Sequence, residues 1–227
     1  MATIRATFVD HLVPVPGMAD VYRRWAQEAA AVATTGEEEG GGEGGLGRTP
    51  AASLSFDYVS GSPWFLAKEL EAWLGDADKE GGAHPAGSFW LKRFRVEVLE
   101  PWGLDSSLVQ LTGSNFNMKM AHINGVFERH RDKAFILVGD SSEQDPEVYG
   151  ALARERGDQV VCILIREVPR HPWSPQREAE AFRGIPPEKR AVFTSPKQEL
   201  QGVKVDRILR ARANTADVGC GLVDPAA

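Results

Sequence analysis

The sequence predicts an α/β fold in which a Rossmann-like parallel β-sheet is covered by helices on both faces. Two apolar runs carry this prediction: residues 135–138, which end at Gly139, and residues 160–165. Short uninterrupted apolar runs are typical of strands in parallel sheets, because both faces of such a sheet are buried. Segments with helical periodicity lie before and between the two runs, so strands and helices alternate along the chain.

The other elements follow from periodicity and turn residues. Asp145 followed by Pro146 is typical of a helix start, with Asp as the N-cap and Pro in the first helical position. The remaining predicted elements are a helix over 17–33, a strand over 53–59, a helix carrying Trp64, Leu66, Leu70 and Trp73, an extended segment over 88–95, and a helix over 118–129.

The length of 227 residues is sufficient for one α/β domain with a full core, which we predict over residues 1–210. Within it, residues 35–50 are rich in Gly and Glu and predict a low-complexity surface loop. Residues 211–227 show no periodicity and predict a loose C-terminal tail.

Composition narrows the classes of function. The net charge of −6 argues against a nucleic-acid binder that depends on broad positive charge. No apolar stretch approaches the roughly 20 residues that span a bilayer, and the N-terminus lacks the apolar core of a signal peptide. We therefore expect a cytoplasmic protein.

Cys162 lies in an apolar run and is interpreted as a buried thiol. The two cysteines of the chain indicate neither a disulfide framework nor a zinc site.

Two aspartates follow the strand that ends at Gly139. Asp140 comes directly after it and Asp145 begins the next helix, so both lie in a loop at the carboxyl end of a strand. Open α/β sheets bind their ligands at this edge, and two carboxylates there are suitable ligands for a hard cation such as Mg²⁺. The alternative is that Asp140 caps the strand end and Asp145 only caps the helix.

A second group of polar residues follows the strand predicted to end at residue 59. The Ser60 hydroxyl can donate to a phosphate oxygen, and the next helix has free N–H groups that suit an anion. The alternative is that Ser60 or Ser62 is a helix cap.

Lys119 is predicted in the first turn of a helix, on the same face as apolar Ile123 and Phe127. The helix dipole disfavours a cation in that turn, so the placement indicates contact with a phosphate or with the aspartates. The alternative is a lysine whose ammonium extends past the apolar stripe to water.

Four stretches, in order along the chain, resemble motifs of one protein family. They are residues 13–22 (VPVPGMADVY), 58–64 (YVSGSPW), 139–149 (GDSSEQDPEVY) and 161–168 (VCILIREV). Together they resemble the catalytic domain of the fungal actin-patch phosphatidate phosphatases, within the haloacid dehalogenase superfamily. The resemblance runs from about residue 3 to about residue 168.

The resemblance implies hydrolysis of phosphatidate to diacylglycerol and phosphate, with contact at the membrane periphery. It implies that Ser60, with Gly61, orients the phosphoryl group of the substrate. It gives Lys119 the role of neutralising phosphoryl charge, and Asp140 and Asp145 the role of holding Mg²⁺.

One departure from the family pattern changes the expectation for activity. The resemblance implies an Asp-x-Asp-x-Thr motif on the central strand of the sheet, with its first aspartate as nucleophile and its second as general acid. These 227 residues contain no such motif, and Asp10 is interpreted as an ordinary polar residue. We expect a sheet without its first central strand, with exposed strand edges beside the gap. The chain is then either a truncated, weak or inactive enzyme, or a pseudoenzyme that binds a phosphorylated lipid without cleaving it.

Overall fold

The structure is a computed structural model that describes residues 14–38, 54–78, 83–92, 115–210 and 219–220. The helices are α1 (Met18–Glu38), α2 (Ala67–Leu74), α3 (Asn115–Arg129), α4 (Asp145–Glu155), α5 (Pro175–Ala181), α6 (Pro196–Glu199) and α7 (Val205–Arg210). The strands are β1 (Asp57–Pro63), β2 (Ser88–Lys92), β3 (Phe135–Asp140), β4 (Val160–Arg166) and β5 (Arg190–Phe193). Turns of 3₁₀ helix span Trp64–Leu66, Pro187–Lys189 and Leu200–Gly202.

The strands form two parallel sheets. β1 pairs with β2, and β3, β4 and β5 pair in that order. Within the second sheet Asp140 lies opposite Arg166, so β3 and β4 end at the same edge. Successive parallel strands need a crossover, and α4 and α5 provide it on one side of this sheet.

Helices cover both faces of the second sheet, which confirms the predicted α/β class. β4 is the buried centre: Cys162 and Leu164 pack in one cluster with α1 and α7, whereas Ile163 and Ile165 pack in another with α3 and α4. The apolar run that predicted β4 is therefore explained by burial on both sides. No described helix has the length and apolar character needed to cross a membrane.

A slot separates the two sheets. Within the described residues β1 pairs only with β2, and β3 pairs only with β4. β1 and β3 therefore each have one edge without a strand partner. Tyr58 and Ser60 of β1 and Ile136 and Val138 of β3 line a shared cavity of about 440 Å³. We call this cavity the inter-sheet slot. Among the described residues, no strand pairs with the edges of β1 and β3 that this slot separates.

Several predicted boundaries differ from the structure. β1 does not end at residue 59 but continues through Ser60 and Gly61 to Pro63, because pairing with Lys92 resumes after a shift of register. α1 continues to Glu38, so the predicted low-complexity loop begins later than residue 35. α3 begins at Asn115 rather than at residue 118. Residues 39–53, Asp10 and most of the tail lie outside the described residues.

The interpretation of Cys162 as a free thiol is wrong. The residue is fully buried in β4, as expected, but it forms a disulfide with Cys220, 58 residues later. Cys220 is itself buried, and its N–H donates to the Glu188 carbonyl at 2.7 Å. This part of the predicted loose tail is therefore packed. Sequence spacing does not reveal the pairing, because the folded chain brings the two Cα atoms to 4.8 Å.

Candidate functional site

The loop between β3 and α4 carries the two predicted aspartates. Asp140 is the last residue of β3 and Asp145 is the first residue of α4. Gly139 allows the loop to fold back closely, since a Cβ atom there would lie 2.6 Å from the Cβ of Asp145. The Asp140 N–H donates to Asp145 Oδ2 at 3.2 Å, which fixes one carboxylate against the end of the strand.

Lys119 reaches this loop from the first turns of α3. Its Nζ donates to Asp145 Oδ1 and, at 2.8 Å, to Glu143 Oε2. Burial acts to lower the pKa of Lys119, but attraction to Asp145 and Glu143 outweighs burial and raises it above the ordinary value. The predicted contact between Lys119 and an aspartate is therefore confirmed, and the alternative of a lysine extended to water is wrong.

Asp145 lies in a low-dielectric environment. Burial raises its pKa, and the nearby Lys119 ammonium offsets this only in part. A bound cation would relieve the remaining penalty on the charged carboxylate. The helix-cap alternative is not observed, because the residue preceding the helix is Gln144 and no side chain caps the N-terminus.

Asp140 takes a different local role. Its Oδ1 accepts hydrogen bonds from the Ser142 N–H at 2.8 Å and from the Ser142 hydroxyl. This turn orders the loop and holds the carboxylate at the mouth of the site. Asp140 thus performs the capping role that was the alternative.

Asp140 and Asp145 are the described residues of this loop that could hold Mg²⁺. Asp140 and Asp145 offer carboxylate oxygens, which Mg²⁺ prefers, and the burial of Asp145 favours a cation beside it. No group of three or more His, Cys, Asp or Glu side chains is placed to hold a metal within the described residues. Water and a substrate phosphate would supply the remaining oxygens, as is usual for Mg²⁺.

Ser60 belongs to β1, which lies across the inter-sheet slot from β3, the strand that ends at Asp140. Its Oγ accepts from the Ser62 N–H at 3.1 Å and lies 3.0 Å from the Ser62 hydroxyl oxygen. In the described part of the chain no hydrogen bond joins Ser60 to Lys119 or to the aspartates. The local turn is the capping-type contact of the alternative, and the hydroxyl also lines the slot.

Helix α3 connects the two sides of the site. A Cβ atom at Gly61 would lie 3.7 Å from Asn115 Oδ1, so the first residue of α3 stands beside the end of β1. Lys119 follows one turn later on the same face of the helix and contacts Asp145. The structure therefore places Ser60 and Gly61 on one side, the two aspartates on the other, and α3 between them.

Sequence reasoning missed three residues that shape the loop. Glu143 pairs with Lys119. Ser141 is buried, donates to the His171 carbonyl at 2.6 Å and accepts from the Val168 N–H at 2.9 Å. Arg177 of α5 donates to the carbonyls of Ser141 at 2.6 Å and Glu143 at 2.5 Å.

Arg177 is itself held in place by Glu147, with bonds of 2.7 and 3.0 Å from Nε and Nη2. No local pattern predicts Arg177, since it lies more than 30 residues from the loop it contacts. Ser141 and Glu143 lie within residues 139–149, the motif that resembles the family. Their place in that motif was the one sequence signal that could have identified them.

Comparison with known proteins decides the family. The sequence profile described as "Phosphatidate phosphatase APP1, catalytic domain" matches residues 1–167. This chain belongs to that family. Phosphatidate phosphatase APP1 of Saccharomyces cerevisiae is 29% identical over 115 residues, which are 51% of this chain. The matched region covers 17% of the length of the yeast protein. No solved structure matches the chain.

Family membership confirms the resemblance inferred from the four motifs. The matched region includes β1, α3, β3 and α4, so all the predicted site residues lie within the APP1 catalytic-domain region. Arg177 and the disulfide partner Cys220 lie beyond it. The loop that carries Asp140 and Asp145 is therefore supported by residues outside the matched region.

Proposed function

We propose that this chain is a magnesium-dependent phosphatidate phosphatase domain that converts phosphatidate to diacylglycerol and phosphate. The observation that carries the proposal is the Lys119–Asp145 pair beside Asp140, at the edge where β3 and β4 end. A buried cation next to carboxylates suits phosphoryl chemistry, in which a protein mainly positions groups and neutralises charge. Family membership supplies the substrate class.

The residues have distinct roles in this proposal. Lys119 turns its ammonium from Glu143 to a phosphate oxygen and stays charged because its pKa is raised. Ser60 donates its hydroxyl to a second phosphate oxygen, and Gly61 leaves room for the group beside Asn115. Asp140 and Asp145 would hold Mg²⁺. When bound, the metal would neutralise charge on the phosphoryl group.

This proposal assigns no residue to the role of nucleophile or to that of general acid. The family motif Asp-x-Asp-x-Thr does not occur in these 227 residues. We therefore infer that this polypeptide by itself is weak or inactive, because the covalent route needs a carboxylate that attacks phosphorus. The strand edges that β1 and β3 leave unpaired within the described residues support this inference.

A second candidate is a pseudoenzyme that binds a phosphorylated lipid. Lys119, Ser60 and the aspartates would hold the head group without cleaving it. The absent motif favours this candidate, whereas the substrate class and the cytoplasmic, membrane-peripheral location are shared by both.

The test is phosphate release from phosphatidate with Mg²⁺, comparing the 227-residue chain with a version extended upstream in the reading frame. The enzyme proposal expects Mg²⁺-dependent release from the extended form and little from the shorter one. Lys119→Ala in the extended form should reduce release by about 100-fold. Lys189→Ala is the matched control, because its Nζ contacts the Gly157 carbonyl away from the site.

Inactivity of both forms, with Mg²⁺-dependent phosphatidate binding retained, would favour the pseudoenzyme. Neither release nor binding in either form would overturn both candidates.

A further inference from the structure

We propose that Trp64 and Phe65 form an aromatic tip that inserts into the surface of a lipid bilayer and brings the phosphate site to its substrate. This inference rests on the proposed function, because it concerns how that site reaches phosphatidate. Trp64 and Phe65 are 56% and 46% exposed, which makes them the most exposed large hydrophobic residues among those that the structure describes. They are consecutive, with ring centroids 6.3 Å apart.

A short turn with one buried residue positions this aromatic tip. Both residues belong to the 3₁₀ turn that directly follows β1. Leu66, the third residue of the turn, is buried against Leu70 and Leu91. The Ala67 N–H closes the turn on the Trp64 carbonyl. Because Leu66 is anchored inward, the backbone keeps Trp64 and Phe65 directed outward.

The tip lies close along the chain to Ser60 of the proposed phosphate site. Trp64 follows Ser60 by four residues, at the carboxyl end of β1. A phosphatidate molecule in a bilayer presents its phosphate at the membrane surface, with its acyl chains below. A protein that binds that phosphate must therefore bring this edge to the bilayer, and the tip then meets the zone between head groups and acyl chains. Aromatic side chains favour that zone.

Within the described residues, the tip is smaller than a stable protein interface requires. A stable protein interface buries roughly 800 Å² on each side, contributed by about 20 residues. Two half-exposed aromatic residues provide only a fraction of that area, since a fully buried aromatic side chain contributes about 150–250 Å². Interfacial insertion needs only a few such side chains. The net charge of −6 also argues against binding to anionic lipids through general attraction.

The experiment measures flotation of the full chain with phosphatidylcholine vesicles containing phosphatidate. We compare the wild type with Trp64→Ala, Phe65→Ala and the double variant. Each single substitution should weaken vesicle binding by about tenfold, and binding should change little with salt. The control is Gln176→Ala, which removes an exposed side chain of α5. Thermal melts check that each variant remains folded.

A soluble probe separates this inference from the proposed function. Dihexanoyl phosphatidate below its micelle concentration tests the phosphate site without a bilayer, and its affinity should be the same in the wild type and the double variant. Vesicle binding that is unaffected by the double variant, while the probe still binds, would overturn the aromatic tip alone. Failure of the wild type to bind the probe would overturn the proposed function.

A second readout uses brominated phosphatidylcholine, which quenches tryptophan fluorescence at the depth of the bromine atoms. Quenching should fall in Trp64→Phe, which retains an aromatic ring and should still bind vesicles. Equal quenching in the wild type and Trp64→Phe would show that Trp64 does not enter the bilayer. Self-association that the double variant abolishes, without any change in vesicle binding, would also overturn the inference and indicate a second copy as the partner.

Discussion

Lys119 and Asp145 form a buried ion pair that joins α3 to the loop after β3. Their side chains are only 9% and 11% exposed, and the Lys119 ammonium donates to Asp145 Oδ1. The pair fixes the position of α3 relative to the loop that carries both aspartates. The contribution of this pair to the unfolding free energy, and the pH dependence of that contribution, can both be measured.

Replacing Lys119 with Met should destabilise the fold by about 3 kcal/mol, because it leaves the Asp145 carboxylate buried without its cation. The double variant with Asp145→Asn should recover part of that loss. Urea unfolding at pH 7 measures both. Equal stability of the wild type and Lys119→Met would contradict the structural role of the pair.

The contribution of Lys119 should also depend on pH with a defined sign. Its folded-state pKa is raised above 10.5, so the protonated form is stabilised by folding. The contribution is present below the unfolded pKa and is lost as pH rises through the folded pKa. The contribution of the Lys119 ammonium to the difference in unfolding free energy between the wild type and Lys119→Met should therefore shrink above about pH 10.5.

Arg177 should act as a positioning residue for the loop of Asp140 and Asp145. Arg177→Ala removes bonds to the Ser141 and Glu143 carbonyls and to Glu147, so we expect weaker Mg²⁺ binding with a modest stability loss of about 1 kcal/mol. Titration calorimetry with Mg²⁺ and urea unfolding measure the two effects.

Arg154→Ala is the matched control, since Arg154 donates to the Ala181 and Arg183 carbonyls away from the loop. The role is refuted if both variants bind Mg²⁺ alike and as tightly as the wild type.

Gly139→Ala should displace Asp145. An added Cβ would lie 2.6 Å from both the Cβ and Oδ2 of Asp145, so we expect a loss of about 2 kcal/mol and weaker Mg²⁺ binding. Gly125→Ala in α3 is the control, because its Cβ would make an ordinary contact of 3.6 Å with Trp90. That change should stabilise the helix by about 0.5–1 kcal/mol. Thermal melts of the two variants should therefore move in opposite directions.

The Cys162–Cys220 disulfide should contribute about 4 kcal/mol, given its 58-residue separation. A reducing agent should lower the melting temperature of the wild type but leave that of Cys220→Ser unchanged. A cytoplasmic location would favour the reduced form, and alkylation of free thiols in cell extracts would measure the fraction reduced. Identical melts of the wild type with and without reductant would contradict a contribution to stability.

The inter-sheet slot should make the isolated chain prone to association. The edges of β1 and β3 that face it lack strand partners in the described structure, and unpaired edges promote aggregation. We expect poor solubility or partial molten character, with rapid amide exchange in both strands and binding of the dye ANS. A sharp cooperative melt from a monomer that does not bind ANS would contradict this prediction.

The sequence by itself determined the α/β class, the two strands β3 and β4, helix α4 and the family, and it predicted the contact of Lys119 with an aspartate. These features depend on local pattern: an apolar run, an Asp-Pro helix start or a motif is carried by neighbouring residues, and burial on both faces of β4 leaves a direct trace in its composition.

Only the tertiary structure decided which residues meet across the fold. Arg177 reaches Ser141 from more than 30 residues away, Cys162 pairs with Cys220, and Trp64 stays exposed while Leu66 of the same turn is buried. β1 continues past Ser60 because Lys92 is its partner at Pro63. The physical reason is common to all four cases, since hydrogen bonding, disulfide formation and burial depend on distances in space that sequence separation does not encode.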